Sequence, residues 1–169
     1  MIFETERLRV RKLVNSDLDA FFQLESNPRV LQYATGEVKT LFEAENDLKN
    51  LIEKYSAAKN DFWIYAIDRK SDNKFIGTLA LVKDGEDDEI GYRFIEDFWG
   101  NGFATEICEG LIPYCKSIGM KKIIGNVVDD NIADSDLIMP DLSYFVDDKD
   151  DKSILSPSPS FIAKTQQEK

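Results

Sequence analysis

A chain of 169 residues, 43% hydrophobic and 31% charged, is long enough for one domain with a sizeable core and has the composition of a globular protein. Its formal net charge of -11 repels nucleic acid and anionic membranes, and the absence of histidine excludes Ser-His-Asp or Cys-His catalysis and any histidine-ligated metal. No apolar run approaches the ~20 residues that span a bilayer, and the N-terminus lacks the basic-then-apolar layout of a signal peptide, so the cytoplasm is the expected compartment, without nucleic-acid or membrane partners.

Leu8-Arg9-Val10-Arg11-Lys12-Leu13 alternates apolar and basic residues as a half-buried strand does. Asn15 or Ser16 can cap a short helix over residues 17–24 that stops near Asn27-Pro28. Thr40 with Glu43 spells a capping box, and Leu41, Ala44, Leu48, Leu51, Ile52 and Tyr55 recur behind it at helical spacing, which predicts a second helix. Three strands are expected over residues 62–67, 74–82 and 89–94; their short polar connections imply an antiparallel meander.

The segment Phe98-Trp99-Gly100-Asn101-Gly102-Phe103-Ala104 then joins a strand to a helix through two glycines. Glycines let the main chain approach an anion closely, and the first helical turn offers unpaired N–H groups and the positive end of a dipole, so a diphosphate-bearing ligand is expected. Asn-Gly alone would read as a hairpin turn, but Ala104-Thr105-Glu106-Ile107-Cys108-Glu109 brings helix formers where a hairpin needs a second strand. Ile107, Leu111, Tyr114, Cys115 and Ile118 mark one face of this helix, Gly119 ends it, and a strand is expected over residues 121–128.

Strand, crossover helix and strand normally run parallel and right-handed. The fold class is therefore α+β: a mixed, mostly antiparallel sheet flanked by helices, with one βαβ unit near its end. Pro113 falls inside the crossover helix, where it costs on the order of 3 kcal/mol unless a kink is accommodated, and nothing in the sequence explains it. Cys108 and Cys115 lie about two turns apart on one helix, too far for a disulfide, and read as small buried hydrophobes. Beyond Ala133 no clear period survives; Asp147-Asp148-Lys149-Asp150-Asp151-Lys152 is a solvated charge cluster and Ser156-Pro157-Ser158-Pro159-Ser160 a linker composition.

Glu89-Ile90-Gly91-Tyr92-Arg93-Phe94, the glycine segment with Thr105-Glu106, Asn131-Ile132-Ala133 and the opening Glu4-Thr5-Glu6-Arg7-Leu8-Arg9-Val10-Arg11 together resemble the GNAT superfamily of acyl-CoA-dependent N-acetyltransferases, and within it the subgroup of ribosomal-protein N-terminal acetyltransferases. The resemblance covers residues 1–133, an acetyltransferase core, and leaves residues 134–169 as a divergent acidic, Ser/Pro-containing segment, flexible in part. It implies acetyl-CoA as co-substrate, no metal, and an amine-bearing small molecule or a protein N-terminus as partner.

By the same resemblance the backbone around Trp99, Gly100, Asn101, Gly102, Phe103, Ala104 and Thr105 would cradle the diphosphate, Tyr92, Arg93 and Phe94 would give main-chain contacts to the pantetheine arm, and Asn131 would belong to the cofactor site. Trp99 stands where the superfamily pattern has Gln or Arg. Asp134 replaces the family's Ser, and no Gly-Phe pair follows, so the final helix and hairpin are altered or missing. The edge thereby left open would be covered in a homodimer.

Direct transfer needs an uncharged amine, a donor for the oxyanion and a proton for the departing thiolate. Glu89 is the candidate base, with an edge-strand charge as its plain reading, and Glu106 reads as a partner of the helix dipole. Tyr144 is the candidate acid, with Ser135 behind it. A catalytically impaired acyl-CoA-binding module or an interaction protein is the alternative function.

Overall fold

The alternating segments of the first half fold into one sheet whose strands follow the order of the chain. The computed structural model describes residues 1–32, 37–84, 87–120, 122–125 and 144–145. Strands β1 (Phe3–Glu4), β2 (Leu8–Lys12), β3 (Phe62–Arg69), β4 (Lys74–Asp84) and β5 (Asp87–Phe94) pair antiparallel in sequence. A parallel neighbour, β6 (Lys122–Gly125), follows the crossover helix, as the strand-helix-strand rule requires, and β7 (Tyr144–Phe145) pairs antiparallel with it. The tail thus supplies a two-residue strand to an edge that the sequence reading left uncovered; residues 126–143 and 146–169, with Asn131, Asp134 and Ser135 among them, lie outside the described residues.

Among the described residues, four α-helices flank the sheet: α1 (Leu18–Glu25), α2 (Pro28–Leu31), α3 (Leu41–Lys54) and α4 (Phe103–Ser117). The two sides of the sheet are read from β5, where alternate residues face opposite ways. Phe94 meets Phe103 of α4, with ring centroids 6.2 Å apart, whereas Arg93 pairs with Glu25 at the end of α1. The core between these layers is apolar, with Leu8, Leu24, Ile76, Leu79, Ile107 and Leu111 fully buried.

Local chemistry explains where the helices start. Thr40 and Glu43 form the expected capping box of α3, the Thr40 hydroxyl accepting from the Glu43 N–H at 3.3 Å while the Glu43 carboxylate accepts from the Thr40 N–H at 2.8 Å. Neither Asn15 nor Ser16 caps α1; the Asp17 carboxylate accepts the Val14 N–H at 2.9 Å across a single 3-10 turn at Asn15–Asp17. Asn27-Pro28 does stop α1 but also begins α2, with the Asn27 side chain accepting from the Arg29 N–H and Pro28 at the first helical position, where its missing N–H costs nothing. Leu41 and Ile118, placed on the buried faces of their helices by spacing, are half exposed because each sits at a helix end beyond the packed layer.

Arg11 of β2 lies between two buried carboxylates, Asp17 at 2.8 Å and Asp68 at 2.6 Å. The hydrogen bonds it donates to Asp17 and Asp68 raise its pKa further above the usual guanidinium value against the effect of burial. This pairing ties the start of α1 to β2 and β3. Among the described residues, no helix is long and apolar enough to cross a membrane.

Candidate active site

The free edge of β5 follows from simple alternation. The Ile95 N–H donates to the Ile76 carbonyl at 2.9 Å, and Arg93 is opposite Thr78, so the main-chain groups of Arg93 and Ile95 face β4. Those of Tyr92 and Phe94 face the other way. On that side β6 pairs with Asp88, Glu89 and Ile90, and among the described residues no strand pairs with β5 beyond Ile90. The Phe94 carbonyl is already taken by the Trp99 indole N–H at 2.8 Å, which leaves the Phe94 N–H and both main-chain groups of Tyr92 along the edge.

Arg93, expected from the resemblance to give a main-chain contact to the pantetheine arm, lies in this register on the β4 side. Its backbone is committed to β4, and its side chain runs to Glu25 at 2.6 Å on the face away from α4. Trp99 acts through its side chain, bracing the strand end to the loop.

The edge runs out at the loop that starts α4. Gly100 and Gly102 both have φ of +72°, in the left-handed region where a side chain is strained, and a Cβ on Gly100 would meet nothing within 4 Å. Gly102 is the N-cap and offers no side-chain cap, so the N–H groups of Phe103, Ala104 and Thr105 are the uncapped donors of a helix start. The Glu106 N–H closes the first turn on the Gly102 carbonyl at 3.2 Å. Asn101 turns inward, its amide donating to the Phe98 and Trp99 carbonyls at 3.0 Å each. With two left-handed glycines, uncapped donors and open space at Gly100, these residues fit a diphosphate.

A second set of bonds holds the loop from behind. Glu106 accepts from the Thr5 hydroxyl at 2.5 Å, the Arg7 N–H at 2.7 Å and the Arg7 guanidinium at 2.5 Å, while Arg7 also donates to the Asn101 carbonyl at 3.0 Å and lies over the Phe103 ring. Burial pushes the Glu106 carboxyl up, but the Thr5 and Arg7 hydrogen bonds outweigh it and hold its pKa below the ordinary 4.5. Glu106, expected to act only on the helix dipole, is made a tether by its long-range partners. A groove of about 530 Å³ lies alongside, lined by Thr5, Arg7, Gly102, Thr105, Glu106 and Glu109 among others.

The two catalytic candidates come from neighbouring strands. Glu89, half-buried, is opposite Val82 of β4 and Ile124 of β6. Tyr144 is opposite Ile123, itself opposite Asp88, so the backbones carrying Glu89 and Tyr144 lie two strand spacings apart, about 10 Å. Facing α4, Tyr92 hydrogen-bonds Cys108, and burial of both raises the tyrosine pKa and pushes the Cys108 thiol up to about 12; Cys115 is pushed to about 12 by the same cause. Both cysteines are buried and inert as nucleophiles. Among the described residues, no group of three or more acidic or cysteine side chains could hold a metal ion.

Residues 7–139 match the family model described as the acetyltransferase (GNAT) domain. The chain is 30% identical over 143 residues to the uncharacterized N-acetyltransferase YoaA of Bacillus subtilis (strain 168), covering 82% of this chain and 80% of the relative. Its fold resembles the crystal structure of a GNAT-family acetyltransferase from Bacillus anthracis, with a TM-score of 0.67, 23% identity and coverage of 76% of this chain and 75% of that one. It also resembles RimL, described as a ribosomal L7/L12 alpha-N-protein acetyltransferase in complex with coenzyme A, with a TM-score of 0.61, 20% identity and coverage of 72% and 71%. A sheet of this order, a β5 edge that no strand among the described residues pairs beyond Ile90, and a glycine loop at the head of the crossover helix, matched over most of the chain, make it a member of the GNAT family of N-acetyltransferases.

Proposed function

We propose that this chain binds acetyl-CoA along the β5 edge and the α4 loop and transfers the acetyl group to a primary amine, either a small molecule or a protein N-terminus. The observation that carries the reading is the succession of two backbone features: the outward main-chain groups of Tyr92 and the Phe94 N–H, then the uncapped N–H groups of residues 103–105. A pantetheine arm can add to such an edge as a strand does, and a diphosphate can sit at the helix start. RimL, similar in fold, was crystallised with coenzyme A, which supports the same donor here.

Acetyl-CoA would supply a thioester carbonyl already activated for attack. The chain's part is then positional and electrostatic: outward N–H groups of β5 orient the arm and offer a donor to the developing oxyanion. Glu89, on the face away from α4, would take the proton from the attacking nitrogen, directly or through water, and Tyr144 would protonate the departing thiolate. Trp99 and Asn101 keep the loop in shape for that geometry.

Calorimetric titration with CoA, paired with acetyl-CoA turnover on a small primary amine and a peptide N-terminus, tests the proposal. Binding with turnover on at least one acceptor is expected. Binding without turnover on either would instead support an acyl-CoA-binding module, and no binding would overturn the assignment of the edge and loop.

A further inference from the structure

Glu25, the last residue of α1, is 1% exposed. Its Oε1 accepts from Arg93 Nη2 at 2.6 Å, its Oε2 lies 2.9 Å from Lys39 Nζ, and its main-chain carbonyl accepts from the Lys39 N–H at 2.9 Å. Lys39 continues to Asp47 of α3 at 2.5 Å. Two acids and two bases thus make a neutral network joining α1, α3 and β5. Burying a carboxylate costs several kcal/mol before pairing, and an apolar contact would join the same elements at least as well, so the charge calls for a reason beyond packing.

The neighbourhood of Arg93 supplies one. Two residues earlier on the same face of β5 is Gly91, where a Cβ would meet only the Ala80 methyl, at 3.9 Å. Gly91 and Ala80 are cross-strand partners and both are partly exposed, so they form a shallow floor between Glu89 and Arg93. A two-residue step along a strand is about 7 Å, within reach of an arginine side chain that has lost its anchor. An unrestrained guanidinium would then cover this floor and set a positive charge there.

We propose that Glu25 is a positioning residue for acetyl transfer: it keeps Arg93 and Lys39 neutralised and clear of the floor at Gly91 and Ala80, so that an amine, cationic as it arrives, can reach the β5 edge. The proposal rests on the reading of that edge as the acyl-donor site. Glu25 itself touches no reactant. Replacing it by glutamine leaves the network with one positive charge in excess and Arg93 with a weaker tether.

The test uses the full chain, with acetyl-CoA and a small primary amine, and measures amine KM, kcat, CoA affinity and thermal unfolding. Glu25→Gln should raise the amine KM about tenfold, change kcat less, and leave CoA affinity within about twofold of wild type. Glu25→Asp should recover part of the loss. Adding Arg93→Met to Glu25→Gln should return the amine KM to within about threefold of wild type, because the misplaced cation is gone. A folded Glu25→Gln with wild-type amine KM overturns the proposal, as does a parallel loss of CoA affinity or a double variant no better than the single. If Glu25→Gln does not fold, the double variant decides: an amine KM about tenfold above wild type overturns the idea. A wild-type chain that fails to bind CoA sinks the donor-site reading and this proposal together, whereas the variant outcomes strike the role of Glu25 alone.

Discussion

Two residues at the α4 loop carry opposite burdens. Gly102 must hold a φ of +72°, and valine there would be strained and would set its Cβ against the Arg7 guanidinium, 3.7 Å away. Gly102→Val should weaken CoA binding about tenfold, on the scale of one or two charge-assisted hydrogen bonds, in a calorimetric titration. Glu106 must remain charged to accept three donors. Because its folded pKa is depressed, the stability it contributes is present above the unfolded value near 4.5 and is lost as pH falls through the folded value. Glu106→Gln should therefore unfold at lower temperature at neutral pH, by about 1–3 kcal/mol, and the difference from wild type should shrink in melts taken progressively below pH 4.5.

At the scale of elements, the distinctive unit is a strand whose first half pairs with β6 and whose second half pairs with no strand on that side among the described residues. Alternation gives a prediction at single-residue resolution. In hydrogen exchange, the Arg93 N–H should be protected with or without CoA, whereas the N–H groups of Tyr92 and Phe94 should gain protection only when CoA is bound. Equal protection of all three in the free protein would show that another segment already occupies the edge.

Elements were legible in the sequence where their causes are local. The α3 capping box lies within four residues, and the strand-to-helix switch around Gly100 and Gly102 is written in composition and spacing. What escaped is what pairs across distance. Glu25 looks like an ordinary polar end to an amphipathic helix, and its partner Arg93 is 68 residues away; nothing local marks either as buried. The inward turn of Asn101 and the indole bond of Trp99 were equally hidden, because both accept their role from backbone geometry that a sequence does not display. The edge that the Arg93 main chain faces was hidden for a related reason: residue type says nothing of it until the register is known.

For the molecule as a whole, the acidic surface and the lack of histidine constrain the chemistry. With no imidazole to draw a proton at neutral pH, the free-base fraction of the acceptor should govern the rate. Turnover on a peptide N-terminus should climb with pH and level off above about 8, the range of an α-amino group, while a small alkylamine should still be gaining at pH 9. A flat pH–rate profile on both acceptors would show that a protein group deprotonates the amine before it binds.

The tether from Thr5 and Arg7 to Glu106 spans about a hundred residues, and it bears on how the protein is made. As the chain leaves the ribosome, its first turn emerges long before the helix that will receive it. The glycine loop can be braced from behind only after about a hundred further residues have followed Thr5 and Arg7, so the assembly of the donor site waits on a contact of high sequence separation. Trimming the first seven residues would delete that brace outright, leaving every loop residue in place and the loop itself without its backing.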